Sequence, residues 1–260
     1  MPKDWNTGRF TLVQMVLACL LCLVVAGAAA RYRYRASPAP IIEYPAHPES
    51  QALKEKYGPH RNSYSEEEWC IRDFFNDRRD GYFVDVGAND YKVTSNTYYL
   101  ETVLNWRGLA IEPQRQFEAD YIKFRPRTRF LSFFVSDASN QLARMYVLKK
   151  NSLVASGSRG FTEREGERAK EIEVPTITLN DLLDSEGVKK IDFMSIDIEL
   201  WEPKALAGFD AERFRPELVC IEAHPQVRQQ IIDYFARYHY VVVGKYLRAD
   251  VNNLYFAPLS

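Results

Sequence analysis

From residue 63 onward the apolar positions follow two alternating rhythms. Short, nearly unbroken apolar runs read as buried strands: YFVDV (82–86), GLAIE (108–112), RFLSFFVSD (129–137), IDFMSID (191–197), ELVCIEA (217–223), YVVVGK (240–245) and NLYFAP (253–258). Between most of them the apolar residues recur at helical spacing, as Tyr99, Leu100, Val103 and Leu104, then Phe117, Tyr121 and Phe124, and later Val227, Ile231 and Phe235. Thr178 stands as N-cap before Leu179, Leu182 and Leu183, and Gly187 closes that helix. Ser65 and Glu68 have the spacing of a capping box and open a leading helix at 65–78. Strand and helix in alternation predict right-handed crossovers and a parallel sheet. Seven strands result, and the last two follow each other without a helix, as a hairpin. Residues 142–177 interrupt the rhythm with two β-like pieces, ARMYVLKK and EIEVPTITL, around a charged stretch from Arg159 to Glu173. That stretch reads as a mobile, solvated insertion.

The first 62 residues follow a different pattern. Residues 10–30, FTLVQMVLACLLCLVVAGAAA, carry no charge, and as a helix they match a bilayer core of about 30 Å. The segment reads as a transmembrane anchor behind a flank at 1–9. A cleaved signal peptide is the competing reading, since Lys3 and Arg9 precede the run and Ala28, Ala29 and Ala30 end it. Arg31, Arg33 and Arg35 against Lys3 and Arg9 lean toward a single-pass protein with a cytoplasmic C-terminal domain. Residues 31–62 read as a tether, because 36–62 hold five of the 13 prolines. The globular domain is then 63–260. With 34 Lys+Arg against 35 Asp+Glu there is no global pull toward nucleic acid, so no nucleic-acid partner is expected. Cys19 and Cys22 fall in the apolar run, which leaves Cys70 and Cys220 and no disulfide framework or CxxC metal pattern in the domain.

Ligands of open α/β sheets bind outside the carboxyl ends of the strands, at the switch point. Here those ends read VDVGANDY, AIEP, VSDA, IDIELWE and IEAHP, and each carries an acid. In the first loop Gly87 permits a sharp turn and close backbone approach, and Asn89 tolerates left-handed geometry. The loop lacks the three glycines a dinucleotide pyrophosphate requires, since Asn89 and Lys92 stand where glycines would be. Glu112 closes the second strand, where an acid can accept hydrogen bonds from both hydroxyls of a ribose. A nucleoside ligand without a pyrophosphate fits this pattern best.

These segments, in this order, resemble the FkbM-type S-adenosylmethionine-dependent methyltransferases. The resemblance runs from Tyr82 to Pro258 and is carried by YFVDVGAND, SNTYYLE (95–101), GLAIEP (108–113), VSD (135–137), TITLNDLL (176–183), IDFMSIDIELWEPKALAGF (191–209), RPELVCIEAH (215–224) and NLYF (253–256). It implies a class I methyltransferase Rossmann-like fold with a seven-stranded, mostly parallel sheet and a C-terminal antiparallel hairpin. It also implies S-adenosylmethionine as methyl donor and methylation of a hydroxyl on a sugar or natural-product-like acceptor. By position, Asp85, Gly87, Ala88 and Asn89 would form the loop around the donor's amino-acid end, Glu112 with Pro113 its ribose contact, and Asp137 a contact near the adenine. Asp197, Glu199 and Glu202 match the acidic block that faces methyl and acceptor. Tyr91 and Leu200 stand where the family usually has glycine.

Methyl transfer from a sulfonium is an in-line displacement, so alignment of oxygen, methyl and sulfur supplies most of the rate. An alcohol must also lose its proton, and Asp197, Glu199 and His224 are the candidate bases. Asp197 and Glu199 are expected on opposite sides of the strand exit, with one of them reaching the acceptor. No spacing calls for a metal. The expected partners are a small-molecule or glycan acceptor and, through the N-terminal segment, the membrane. Two other readings stand beside this one: a catalytically silent, membrane-tethered binding protein of the same fold, and an NAD(P)-dependent oxidoreductase.

Overall fold

The computed structural model describes residues 47–149, 152–164 and 166–259. Two helices lead: α1 (Pro48–Tyr57) and α2 (Glu67–Phe75). Then come β1 (Tyr82–Val86), α3 (Tyr98–Thr102), β2 (Arg107–Ile111), α4 (Glu118–Phe124) and β3 (Thr128–Leu131). An excursion follows through β4 (Phe134–Val135), β5 (Leu142–Val147), α5 (Arg159–Thr162) and β6 (Lys170–Ile177). The chain returns through α6 (Leu179–Ser185), β7 (Phe193–Ile196), α7 (Glu202–Ala207), α8 (Ala211–Phe214), β8 (Leu218–Glu222), α9 (Arg228–Arg237), β9 (Tyr240–Val242) and β10 (Asn253–Pro258).

Seven strands form the main sheet in the order β3-β2-β1-β7-β8-β10-β9. All neighbours are parallel except β10, which runs antiparallel to both β8 and β9. The switch point lies between β1 and β7, where the chain leaves the sheet in opposite directions on either side. Because side chains alternate along a strand, each strand divides its residues between two cores. Val84, Val86, Leu109, Ile111, Met194, Ile196, Val219 and Ile221 pack toward α6, α7 and α9. Phe83, Phe193, Leu218 and Cys220 pack on the other face with Trp69 and Cys70 of α2 and with Trp106. The same alternation puts Asp85, Ser195 and Glu222 on the α2 side, with Asp85 opposite Ser195 and Ser195 opposite Cys220 in register. The acids at these strand ends therefore gather on one face.

Several expectations need correction. The run 129–137 is two strands, because the chain leaves the main sheet after Leu131 and β4 pairs with β6 in a separate three-stranded sheet, β4-β6-β5. The stretch 31–62 is not wholly a tether, since α1 occupies Pro48–Tyr57 and buries Ser50 and Leu53. His47 caps it, accepting from the Glu49 amide, and Pro48 takes the first turn, where a missing N–H costs nothing. The charged insertion is structured as well, with α5 capped by Ser158, which accepts from the Phe161 amide, and with Thr162 buried. The single-pass membrane localisation is not supported: among the described residues no helix is long and apolar enough to cross a membrane. The segment 10–30 that prompted it lies outside the described residues.

Candidate active site

Gly87 ends β1 with φ +84°, and a Cβ there would lie 1.8 Å from the Asp197 carbonyl oxygen. Only glycine fits so close an approach of two strand ends. The Gly87 and Ala88 amides donate to the Ile111 carbonyl at 2.9 and 3.3 Å, and Asn89 turns the loop with φ +47°. Beside it, the buried Glu112 carboxylate accepts from the Asn89 amide at 3.2 Å through Oε2 and from the Gln114 amide at 2.9 Å through Oε1. Burial pushes Glu112 up to about 7 against the pull of these two amides. Asp85 is raised by burial to about 6, although Thr97 Oγ1 donates to its Oδ2 at 2.8 Å and Arg125 lies nearby.

Two cavities open at these strand ends. One, of about 40 Å³, is lined by Gly87, Asn89, Glu112 and Pro113 together with Phe133, Leu153 and Trp201. The other, of about 280 Å³, is lined by Glu67, Asp85, Asn96, Asp197, Glu222 and His224 among others. Gly87, Asn89, Leu153, Asp197 and Glu199 line both. Asp197 and Glu199 therefore do not part to opposite sides. Glu199 (φ +56°) and Leu200 (φ +73°) both adopt left-handed backbone, which bends the exit of β7 so that both acids face the cavities. Leu200 thus holds a conformation that glycine adopts without strain.

His224 Nε2 lies 3.0 Å from Glu222 Oε1 and 3.3 Å from Glu199 Oε2. Ligand atoms of Glu199, Glu222 and His224 all fall within 4.8 Å of one another, close enough to share one cation. Asp197 is densely surrounded by protein, yet its surface opens to the cavities. Burial raises Asp197, Glu199 and Glu222, and neighbouring carboxylates add to each rise, although a hydrogen bond shared with Glu222 opposes it at Asp197. His224 is lowered by burial and by Arg164. Glu202 is fully buried, pushed up to about 8 by burial, and holds the turn by accepting from the Ile198 amide at 3.1 Å.

The structure thus brings together Asp85, Gly87, Ala88, Asn89, Glu112, Pro113, Asp197, Glu199 and His224 around the two cavities. Asp137 is not among them. It follows β4, outside the main sheet, and points to solvent, where it pairs with Lys204 of α7 at 2.6 Å. Trp201 and Phe134, in edge-to-face contact at 5.5 Å, line the first cavity in its stead. Tyr91 stays out of the turn, stacked on Phe124 at 4.9 Å. Sequence reasoning missed Glu222, although its place as the acid closing β8 was visible, and it missed that the insertion reaches the site. Phe161 of α5 meets His224 edge-on at 5.3 Å, and Arg164 lines the larger cavity.

Among solved structures the chain is similar to precorrin-6y C5,15-methyltransferase from Geobacter metallireducens, at 11% identity, covering 71% of this chain and 76% of that one, with a TM-score of 0.39. A protein of Pyrococcus horikoshii, described as a candidate RNA methyltransferase, matches at 12% identity over 81% of this chain and 96% of its own, also with a TM-score of 0.39. Phosphoethanolamine N-methyltransferase 1 of Haemonchus contortus, solved with phosphoethanolamine and S-adenosylhomocysteine, matches at 12% identity and a TM-score of 0.33, over 81% of this chain and 44% of that one. No curated protein sequence matches. Residues 85–242, more than half of the chain, match the family described as the methyltransferase FkbM domain. They run from the carboxylate on β1 through both cavities to the end of β9, and the chain belongs to the FkbM methyltransferase family.

Proposed function

We propose that the protein transfers a methyl group from S-adenosylmethionine to a hydroxyl of a sugar or natural-product-like small molecule. The observation that carries this reading is the meeting of the two cavities at Gly87, Asn89, Asp197 and Glu199. The donor fits the residues present. Glu112 offers a buried carboxylate at the end of β2 for ribose hydroxyls, and Gly87, which lines both cavities, presents only backbone to the donor's amino-acid end. The sulfonium supplies an activated methyl carbon. Asp85 offers negative charge to the cationic end of the donor.

The larger cavity suits a polyol acceptor. Carboxylates and amides of Glu67, Asn96 and Asn253 line it, and Tyr64, 71% exposed at its edge, offers an aromatic face for a sugar ring. As the acceptor oxygen bonds to the methyl carbon and the carbon–sulfur bond breaks, the electron pair goes to sulfur and the hydroxyl proton to a base. Asp197 and Glu199 both line the two cavities, and Asp197, the more exposed of the two, is assigned that role. His224, held between Glu199 and Glu222, lines only the acceptor side and is the second candidate.

One observation favours a catalytically silent alternative. The donor-side cavity, at about 40 Å³, is narrow for an adenosyl group. Asp197→Asn decides between the readings. It keeps shape and hydrogen-bonding reach but removes the charge, so turnover of a responsive sugar or alcohol should fall about a hundredfold while donor affinity changes little. If donor affinity falls in step with turnover, Asp197 holds the donor and the base lies elsewhere. If the parent binds donor but methylates no member of a broad panel of sugars and alcohols, the silent reading takes its place.

A further inference from the structure

A buried polar relay ends on Asp85. Arg125, just past α4, has no exposed surface, and its Nε donates to Glu101 of α3. Its Nη1 donates to the Tyr91 carbonyl at 2.8 Å, and its Nη2 donates to the Thr97 carbonyl at 3.1 Å and to Thr97 Oγ1 at 3.2 Å. Nη2 also faces Thr128 Oγ1 at 3.2 Å, and Nη1 faces Ser95 Oγ at 3.4 Å. Thr97, likewise without exposed surface, donates onward to Asp85 Oδ2 at 2.8 Å. Its direction follows from chemistry. A guanidinium has donors only, so the lone pair of the Thr97 oxygen takes the Arg125 proton and the Thr97 proton is left for Asp85. The relay therefore ends on an accepting oxygen and favours the carboxylate form.

A buried guanidinium needs a charge partner and full hydrogen bonding, and Glu101 with the two carbonyls would meet most of that need. The bond onward from Thr97 into the cavity goes beyond a structural staple. So does the tie to both ends of the 91–97 loop, which follows the Gly87 turn and contributes Thr94 and Asn96 to the cavity lining.

We infer that Arg125 is a positioning residue for donor binding: through Thr97 it aims the Asp85 carboxylate at the donor's ammonium, and through the Tyr91 and Thr97 carbonyls it fixes the loop beside it. This inference rests on the donor assignment proposed above. Lysine cannot replace arginine in the role, because one ammonium cannot reproduce the planar fork that meets Glu101, Tyr91 and Thr97 together.

Besides Arg125, the charged and titratable groups facing Asp85 are Asp197 from the exit of β7, Glu112 from the end of β2 and Tyr121 from α4. None of them is touched by a change at Thr97. In the full-length protein, Thr97→Val should move the titration of the Asp85 carboxyl, followed by ¹³C NMR, to higher pH. It should weaken S-adenosylhomocysteine binding about tenfold near neutral pH, the scale of one hydrogen bond to a charged group. Thr97→Ser should restore both readouts, and Arg125→Lys should reproduce the upward movement. Loss of packing alone would lower the melting temperature of Thr97→Val without moving the Asp85 titration. An Asp85 midpoint unchanged in a folded Thr97→Val protein overturns the relay. A moved midpoint in Thr97→Val with S-adenosylhomocysteine binding unchanged overturns the positioning role, and a parent that binds no S-adenosylhomocysteine locates the error in the donor assignment.

Discussion

Glu112→Gln separates what this carboxyl does for the fold from what it does for a ligand. In the folded protein burial raises its pKa from 4.5 to about 7, so folding disfavours the ionised form. A raised acid contributes stability that is whole below the unfolded value of 4.5 and is lost as pH rises toward 7. The rise of about 2.5 units corresponds to about 3 kcal/mol, and at 3% exposure solvent screening takes little from it. Glutamine keeps the shape and cannot ionise. Its NH₂ group, however, must face either the Asn89 or the Gln114 amide, where an accepting oxygen now stands, at a cost of about 1–3 kcal/mol. Glu112→Gln is therefore expected to be less stable than the parent near pH 4.5 and at least equal to it at pH 8. Urea unfolding across that range would show the two stability curves converging or crossing. At pH 8 the variant should bind S-adenosylmethionine roughly ten- to a hundredfold more weakly, through loss of charge-assisted bonds to the ribose. Parallel stability curves, or unchanged donor affinity, would refute the reasoning.

Gly87→Ala places a methyl group against the Asp197 carbonyl at a backbone angle alanine rarely adopts, so it should cost about 3 kcal/mol and abolish donor binding. Thermal unfolding and calorimetry check the two effects. Asp73 has a side chain only 4% exposed. Burial alone would raise it, but bonds from Lys245, Lys56 and Tyr246 outweigh that and hold it at about 2. Its contribution, at most about 2 kcal/mol, is present above 3.8 and lost as pH falls toward 2, so Asp73→Asn should destabilise at pH 7 and be nearly neutral at pH 2 in denaturant titrations. Leu200→Gly relieves a left-handed leucine but loosens the unfolded chain, so a net change within about 1 kcal/mol is expected by the same assay, where an ordinary helix or strand position would lose stability.

The main-sheet strands were legible because parallel strands buried on both faces read as continuous apolar runs, as YFVDV and DFMSI do. The same signal misled at 129–137. Only Ser132 interrupts the apolar run where the chain changes sheets, and the change is fixed by pairing of β4 with β6, some 40 positions away. The helix α1 was hidden because proline-rich composition suggested an extended chain and only Leu53 supplies a buried apolar anchor. The short α3 stops at Thr102, since Asn105 at φ +64° turns the chain into β2, although Val103 and Leu104 continue the helical spacing. At the site, residues that follow strand ends could be placed from sequence, because topology brings those ends together. Glu222 and Arg125 matter through partners such as His224, Thr97 and Asp85, and only the folded chain shows which side chains meet. Asp137 follows a strand end too, but of the other sheet.

The cavity lined by Glu112 and Gly87 is the proposed S-adenosylmethionine site. Isothermal titration of the full-length protein with S-adenosylmethionine, and separately with NAD, tests it most directly. One molecule of S-adenosylmethionine per chain and no detectable NAD binding are expected. Saturable binding of NAD, or no binding of S-adenosylmethionine by a cooperatively folded protein, would contradict that assignment.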